Sequence, residues 1–256
     1  MKVVVLAGGF GTRLSEETGT IPKPMVMVGP QPIIWHICKH FSFYGYNEFI
    51  ICCGYKKQHI YDYFINYNNN NSNIQVDLET NTVRHLNSSK PENWNVTLVD
   101  TGIGTLTANR LLAIRNLIGE DEKFFITYGD GIGNINLHNL YQHHCRQEKL
   151  MTVTGKLHED TYGLMEMKDQ QVTHFAEKPK LDRYVNIGYF VAHRDVFNYF
   201  NNSAEMLESG PIPRIVKANE LSCYVHDGYW SSMDTLSDKK RLNNEWEKGN
   251  PQWKTW

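Results

Sequence analysis

Residues 2–23 read KVVVLAGGFGTRLSEETGTIPK, and this stretch decides the fold. Five apolar residues, Val3 to Ala7, run directly into Gly8, Gly9, Gly11, Thr12 and Arg13. A continuous apolar run closed by glycine predicts a parallel strand covered on both faces, with a glycine-rich turn at its carboxyl end. Open α/β sheets bind ligands at that end. Glycine lets the backbone approach a ligand and aim N–H groups at it, and the planar fork of Arg13 suits phosphate. The chemistry implied is anion cradling. The spacing is neither that of a P-loop, which needs Lys and then Ser or Thr after its last Gly, nor the G-x-G-x-x-G of dinucleotide sites. The next lysine, Lys23, stands between Pro22 and Pro24, which predicts an ammonium presented from a stiff extended segment.

Working outward, Ile33, Ile37, Phe41 and Tyr44 recur at helical spacing and predict a helix over 32–44. A strand over 47–53 and a helix over 55–66 follow, the alternation that a parallel sheet with right-handed crossovers requires. His36 and His40 lie four apart, but no E-x-x-H context accompanies them, so they are read as helix residues rather than metal ligands. The Asn-rich stretch 66–73 is predicted as a flexible loop inside an insertion over 68–94 that holds a small hairpin. The strand 96–99 ends in Asp100-Thr101-Gly102, a tip that either caps the strand or reads a base. A helix over 107–118 and a strand over 124–128 lead to Gly129-Asp130-Gly131, where the flanking glycines free the carboxylate; a tight turn is the alternative. From Met151 the segments become shorter alternating strands, and Glu177-Lys178-Pro179-Lys180 repeats the proline-stiffened cation of Lys23. After a strand over 221–225, YWSSMDT delivers Asp234 to the start of a helix ending near Lys248, where it would act as an N-cap. The aromatic tail, Trp246 to Trp256, is expected to pack on the body or on a neighbouring subunit.

The 256 residues suffice for one large α/β domain, and the 41% apolar and 21% charged content is ordinary for a globular protein. No apolar run reaches membrane-spanning length, and the start is too soon interrupted by Gly for a signal peptide, so a cytoplasmic protein without a membrane partner is expected. A net charge of −2 without an arginine-rich tract argues against a nucleic-acid partner. The cysteines, five in number and without C-x-x-C spacing, indicate neither a disulfide frame nor a zinc site.

These motifs resemble those of the sugar-1-phosphate nucleotidylyltransferases. The signature is LAGGFGTRL (6–14) with PKPMV (22–26). The glucose-1-phosphate cytidylyltransferase branch is matched further by FIICCGYK (49–56), WNVTLVDTG (94–102), TYGDG (127–131), EKPK (177–180), MDTLSDK (233–239) and the terminal WKTW. The resemblance covers nearly the whole chain. It implies a Rossmann-like three-layer α/β fold with a mixed sheet, as one nucleotidyltransferase domain: a nucleotide-binding half over 1–150, a sugar-binding half over 151–235 and a C-terminal helix and tail. The implied reaction moves CMP from CTP to glucose 1-phosphate, giving CDP-glucose and pyrophosphate.

Carried over by the same resemblance, Leu6, Ala7, Gly8, Gly9, Gly11, Thr12, Arg13 and Lys23 bind the nucleotide, joined by Thr101, Gly102 and Arg110. Glu177, Lys178, Asn186 and Gly188 bind the sugar phosphate. Asp130 and Asp234 hold one Mg²⁺, and Arg13, Lys23, Asp130 and Lys178 act in catalysis. The chain is expected to form a homo-oligomer, a hexamer in this family. It departs from the family pattern at Ala108 and Asn109, at Ile187 and over 158–163. The last two lie on the acceptor side, so a different phosphorylated acceptor stays open. So does a catalytically silent binding homologue, although no lysine or carboxylate of the set is missing.

Overall fold

Val3, Val4, Val5 and Leu6 are all buried because their strand lies inside a sheet with a core on each face. The computed structural model describes residues 1–14, 18–88, 91–159, 163–177 and 180–256. Its central sheet has seven strands: β1 (Lys2–Leu6), β2 (Glu48–Cys53), β3 (Asn95–Asp100), β4 (Lys123–Tyr128), β5 (Met151–Glu159), β6 (Lys180–His193) and β7 (Leu221–Val225). Their spatial order is β7-β5-β6-β4-β1-β2-β3. β1 pairs in parallel with β2 and β4, β2 with β3, and β5 with β7, whereas β6 runs antiparallel to both β4 and β5. The sheet is therefore mixed, as expected.

Strand alternation assigns the two cores. Val3 and Val5 face a layer containing Ile33, Ile37 and Phe41 of helix α1 (Ile33–Phe43), together with Leu242 and Trp253. Val4 and Leu6 face the other, with Leu111, Phe197, Leu207 and Ile215. Helices on both faces of one sheet give three layers.

Several boundaries and elements differ from the sequence reading. The predicted helix over 107–118 is two pieces, α2 (Thr107–Ala113) and a turn over Arg115–Ile118, broken at Ile114. The Asn-rich segment is ordered rather than loop-like: Tyr67–Asn70 forms a helical turn, and the hairpin strands are Ser72–Asp77 and Thr82–Ser88. Side chains hold it in place, with Trp35 donating to the Tyr67 hydroxyl at 2.9 Å and Gln31 to Asn71 Oδ1 at 3.2 Å. The sequence reading also gave no role to α3 (Leu137–Gln147), which is capped by Asn136 and buries Leu137 and Leu140.

The aromatic tail packs on the body. Trp253 is fully buried, and His36 meets the rings of Trp246 and Trp253 edge-on at 5.3 and 5.0 Å. His36 Nε2 donates to Val28 O at 2.8 Å, and His40 Nδ1 lies 2.9 Å from Thr255 Oγ1. Both imidazoles are core residues. Burial lowers them from the ordinary 6.5, His36 to about 4 and His40 further still. The folded state thus disfavours the charged imidazole, so the unfolded chain binds more protons and stability falls as pH drops from about 6.5 towards about 4. Urea unfolding at pH 7.5 and pH 4.5 should show this loss, with a smaller loss in His36→Gln; equal pH dependence in the two proteins would rule out His36 as its source.

Candidate functional site

The carboxyl ends of β1 and β4 lie side by side, so the turns that follow them share one end of the sheet. Gly129 N donates to Leu6 O at 3.0 Å, and a Cβ at Gly129 would come within 3.1 Å of Pro24. A short antiparallel pair, Gly131–Gly133 with Trp230–Ser232, aligns Gly131 with Ser232, and Met233 N donates to Asp130 O at 2.9 Å. That register brings Asp130 and Asp234 together from positions more than a hundred residues apart.

Lys23 joins them. Its Nζ donates to Asp130 Oδ2 at 2.7 Å and to Asp234 Oδ1 at 2.8 Å. The lysine sits on a single 3₁₀ turn, Lys23–Met25, rather than on an extended segment; only Pro22 ahead of it is extended. It also packs beneath the glycine turn, where Gly11 has φ +64° and a Cβ would lie 3.1 Å from that of Lys23. Burial opposes the charge and is the largest single effect on it, but the two carboxylates outweigh burial and hold the ammonium above the ordinary lysine value. The expected N-cap role of Asp234 is not realised. Thr235 caps the following helix, α4 (Leu236–Glu247), through a capping box with Asp238, which leaves the Asp234 carboxylate to face Lys23.

Above these groups opens a cavity of about 540 Å³. Of the residues named from the sequence, Leu6, Ala7, Gly8, Gly9, Gly11, Thr12, Lys23, Arg110, Asp130, Asn186, Gly188 and Asp234 line it. Thr101 and Gly102 do not. The Thr101 hydroxyl donates to Cys53 O at 2.7 Å and accepts from Arg110, and Gly102 O accepts from Arg110 at 3.0 Å. Glu177 is exposed and outside the lining. Lys178 lies outside the described residues, as do 160–162, and for Arg13 the description stops at the backbone. Sequence reasoning gives no role to several other lining residues: Thr105, Leu106, Thr107, Tyr128, Met206, Glu208 and Trp230. Of these, Tyr128 and Trp230 sit inside quoted motifs, whereas Met206 and Glu208 come from a loop that carried no signal.

Arg110 has a structural task at the mouth of this cavity. Nearly buried, it donates to Gly8 O at 2.8 Å, Cys53 O at 3.1 Å and Gly102 O, as well as to Thr101. Its acceptors are all uncharged, and desolvation by burial pulls the guanidinium below its ordinary value. Gly8 is glycine for this reason: a Cβ there would lie 2.2 Å from the Arg110 guanidinium. Gly9, which also lines the cavity, has nothing near its Cβ direction.

A profile of the Nucleotidyl transferase family matches residues 2–248. The chain belongs to that family. It is 42% identical, over the full length of both chains, to the glucose-1-phosphate cytidylyltransferases of Salmonella typhimurium and Salmonella typhi. Among solved structures it resembles UDP-glucose pyrophosphorylase from Acinetobacter baumanii, with a TM-score of 0.72 at 17% identity, covering 98% of this chain and 95% of that one. At that identity the likeness concerns the fold, and it agrees with the three-layer mixed sheet described above. No described helix is long and apolar enough to cross a membrane.

Membership makes this chain a nucleotidyltransferase. The donor set suits a hard divalent cation, since two carboxylates already converge on one cationic point, the Lys23 ammonium. The Arg110 clasp is open to direct test. Lys keeps the charge but not the fork, so Arg110→Lys cannot span the carbonyls of Gly8, Cys53 and Gly102 together. A loss of about 1–3 kcal/mol is expected, seen as a melting temperature lower by roughly 2–4 °C per kcal/mol. An unchanged melting temperature would remove the clasp from the account.

Proposed function

We propose that the protein transfers CMP from CTP to α-D-glucose 1-phosphate, releasing pyrophosphate and forming CDP-glucose. The observation that carries this reading is the convergence of Lys23, Asp130 and Asp234 beside the glycine turn, in a chain that matches glucose-1-phosphate cytidylyltransferases end to end. A phosphate oxygen of the sugar phosphate forms the new bond to the α-phosphorus of CTP, and the bond from that phosphorus to the bridging oxygen breaks in line. The nucleophile is already an anion, so no proton has to move. The catalytic task is to bring two polyanions together and to stabilise the charge that develops.

Backbone N–H groups of the turn from Gly8 to Thr12, with Arg13, hold the β- and γ-phosphates in this proposal. Lys23 neutralises the α-phosphate, and Lys178 receives the incoming phosphate. Thr101, Gly102 and Arg110 serve the nucleotide end, Arg110 through the loops it ties together, and Glu177, Asn186 and Gly188 serve the sugar. Asp130 and Asp234 would hold Mg²⁺, which supplies charge neutralisation and orientation of the phosphates when bound. The enzyme works in the cytoplasm, as a homo-oligomer of hexameric type. In support of assembly, the hairpin Leu164–Lys168/Gln171–Ala176 leaves Met165, Met167, Val172 and Phe175 exposed. Light scattering on the purified protein should give about six chain masses, and a monomer at micromolar concentration would contradict this.

Pyrophosphate release with CTP and glucose 1-phosphate tests the central reading. Lys23→Ala and Asp130→Asn should each lower turnover by roughly a hundredfold or more, as removal of single charge-stabilising contacts does elsewhere. Near-normal turnover in both would refute the assignment of roles. A panel of sugar 1-phosphates addresses the second reading, another acceptor, which Ile187 on the cavity wall keeps open.

A further inference from the structure

Resting on that function, we propose that Glu208, oriented by Tyr128, recognises neighbouring hydroxyl groups on a sugar ring of the bound substrates. Among the described residues, three acidic side chains line the cavity: Asp130, Asp234 and Glu208. Lys23 engages the first two. Among the described residues no cation is paired with Glu208; its partners are hydroxyl groups. The Tyr128 hydroxyl donates to Oε1, and the Thr107 hydroxyl lies 3.4 Å from Oε2.

Both partners are held in place. The Tyr128 ring lies so close over Gly188 that a Cβ there would be 2.4 Å from it, and it meets Phe190 edge-on at 5.9 Å. Gly188, at φ +81°, is therefore needed as glycine on two counts. Thr107 Oγ1 accepts from Leu207 N at 2.7 Å, and Leu207, the residue before Glu208, is fully buried. The rest of the loop is tied to its surroundings: Asn109 donates to Ser203 O and accepts from Glu205 N, both at 3.0 Å, and Arg214 donates to both carboxylate oxygens of Glu205.

A carboxylate accepts hydrogen bonds only, and each oxygen has room for more than one. Facing a phosphate it would repel; facing hydroxyl groups it forms charge-assisted bonds, which are stronger than neutral ones. Its ligand is therefore an uncharged donor group of a substrate, and the hexose ring and the ribose are the parts that offer neighbouring hydroxyls. The contact of Tyr128 with Gly188, beside Asn186, lies on the side assigned to the hexose.

Steady-state kinetics of pyrophosphate release tests this. Glu208→Ala should raise KM for one substrate about ten- to a hundredfold with kcat within a few-fold, Glu208→Gln should recover part of the loss, and Tyr128→Phe should show a smaller rise. Deoxy analogues identify the hydroxyls. If wild type and Glu208→Ala become equal on a deoxyglucose 1-phosphate, the contact is to the hexose; if they become equal on 2′- or 3′-deoxy-CTP, it is to the ribose. Either result supports the proposal, whereas an unchanged KM, or a defect that no deoxy analogue abolishes, overturns it. Should the wild-type protein release no pyrophosphate with any sugar phosphate, the functional reading fails by itself. Calorimetric titration with CDP-glucose then decides the present point: a tenfold weaker Glu208→Ala supports it, and equal affinity removes it.

Discussion

The site depends on one ion cluster, the Lys23 ammonium held between the carboxylates of Asp130 and Asp234 at 2.7 and 2.8 Å. Two carboxylates at such separation repel each other unless a cation lies between them, and a partly buried ammonium is costly unless anions surround it. Each group makes the others tolerable. The cluster fastens three distant segments to one end of the sheet: the turn after Pro22, the turn after β4 and the lead-in to α4. Among the described residues it carries a formal charge of −1, from two carboxylates and one ammonium. A divalent cation would reverse that sign.

Arg110 complements this cluster by different means. It makes no ion pair among the described residues and is spent on carbonyls and a hydroxyl at the carboxyl ends of β1, β2 and β3. Where Lys23 fixes charged side chains, Arg110 fixes backbone, and the missing Cβ of Gly8 is what lets the guanidinium reach it. The glycine turn therefore answers to two demands, room for an internal arginine at Gly8 and open approach at Gly9. By sequence alone both glycines read as ligand contacts.

Much of the fold was legible because burial on both faces leaves a plain record. KVVVL, FIICC and KFFITY show the continuous apolar runs of interior parallel strands, and glycine or aspartate closes them. Elements less marked by pattern were misread or passed over. α3 is polar over most of its surface, and Asn68 to Asn71 look disordered by composition until Trp35, Gln31 and Tyr67 hold them. Around the cavity, the residues of the turns after β1 and β4 stand out in the sequence, whereas Met206 and Glu208 do not. Their loop carries no motif, and Asn109, Thr107 and Arg214 bring it to the cavity from other elements.

By itself the sequence determined the parallel-strand core, the glycine turn at its carboxyl end and the residue types offered for phosphate and metal, since these rest on local composition and short spacing. It also determined the family, because many separate blocks match at once. Tertiary structure decided which of those residues meet. Whether Asp234 caps a helix or faces a lysine depends on Thr235 taking the cap and on the register between Gly131 and Ser232, a pairing across about a hundred residues that local pattern does not record. The same holds for Glu208, which contacts from β4 and α2 hold at the cavity.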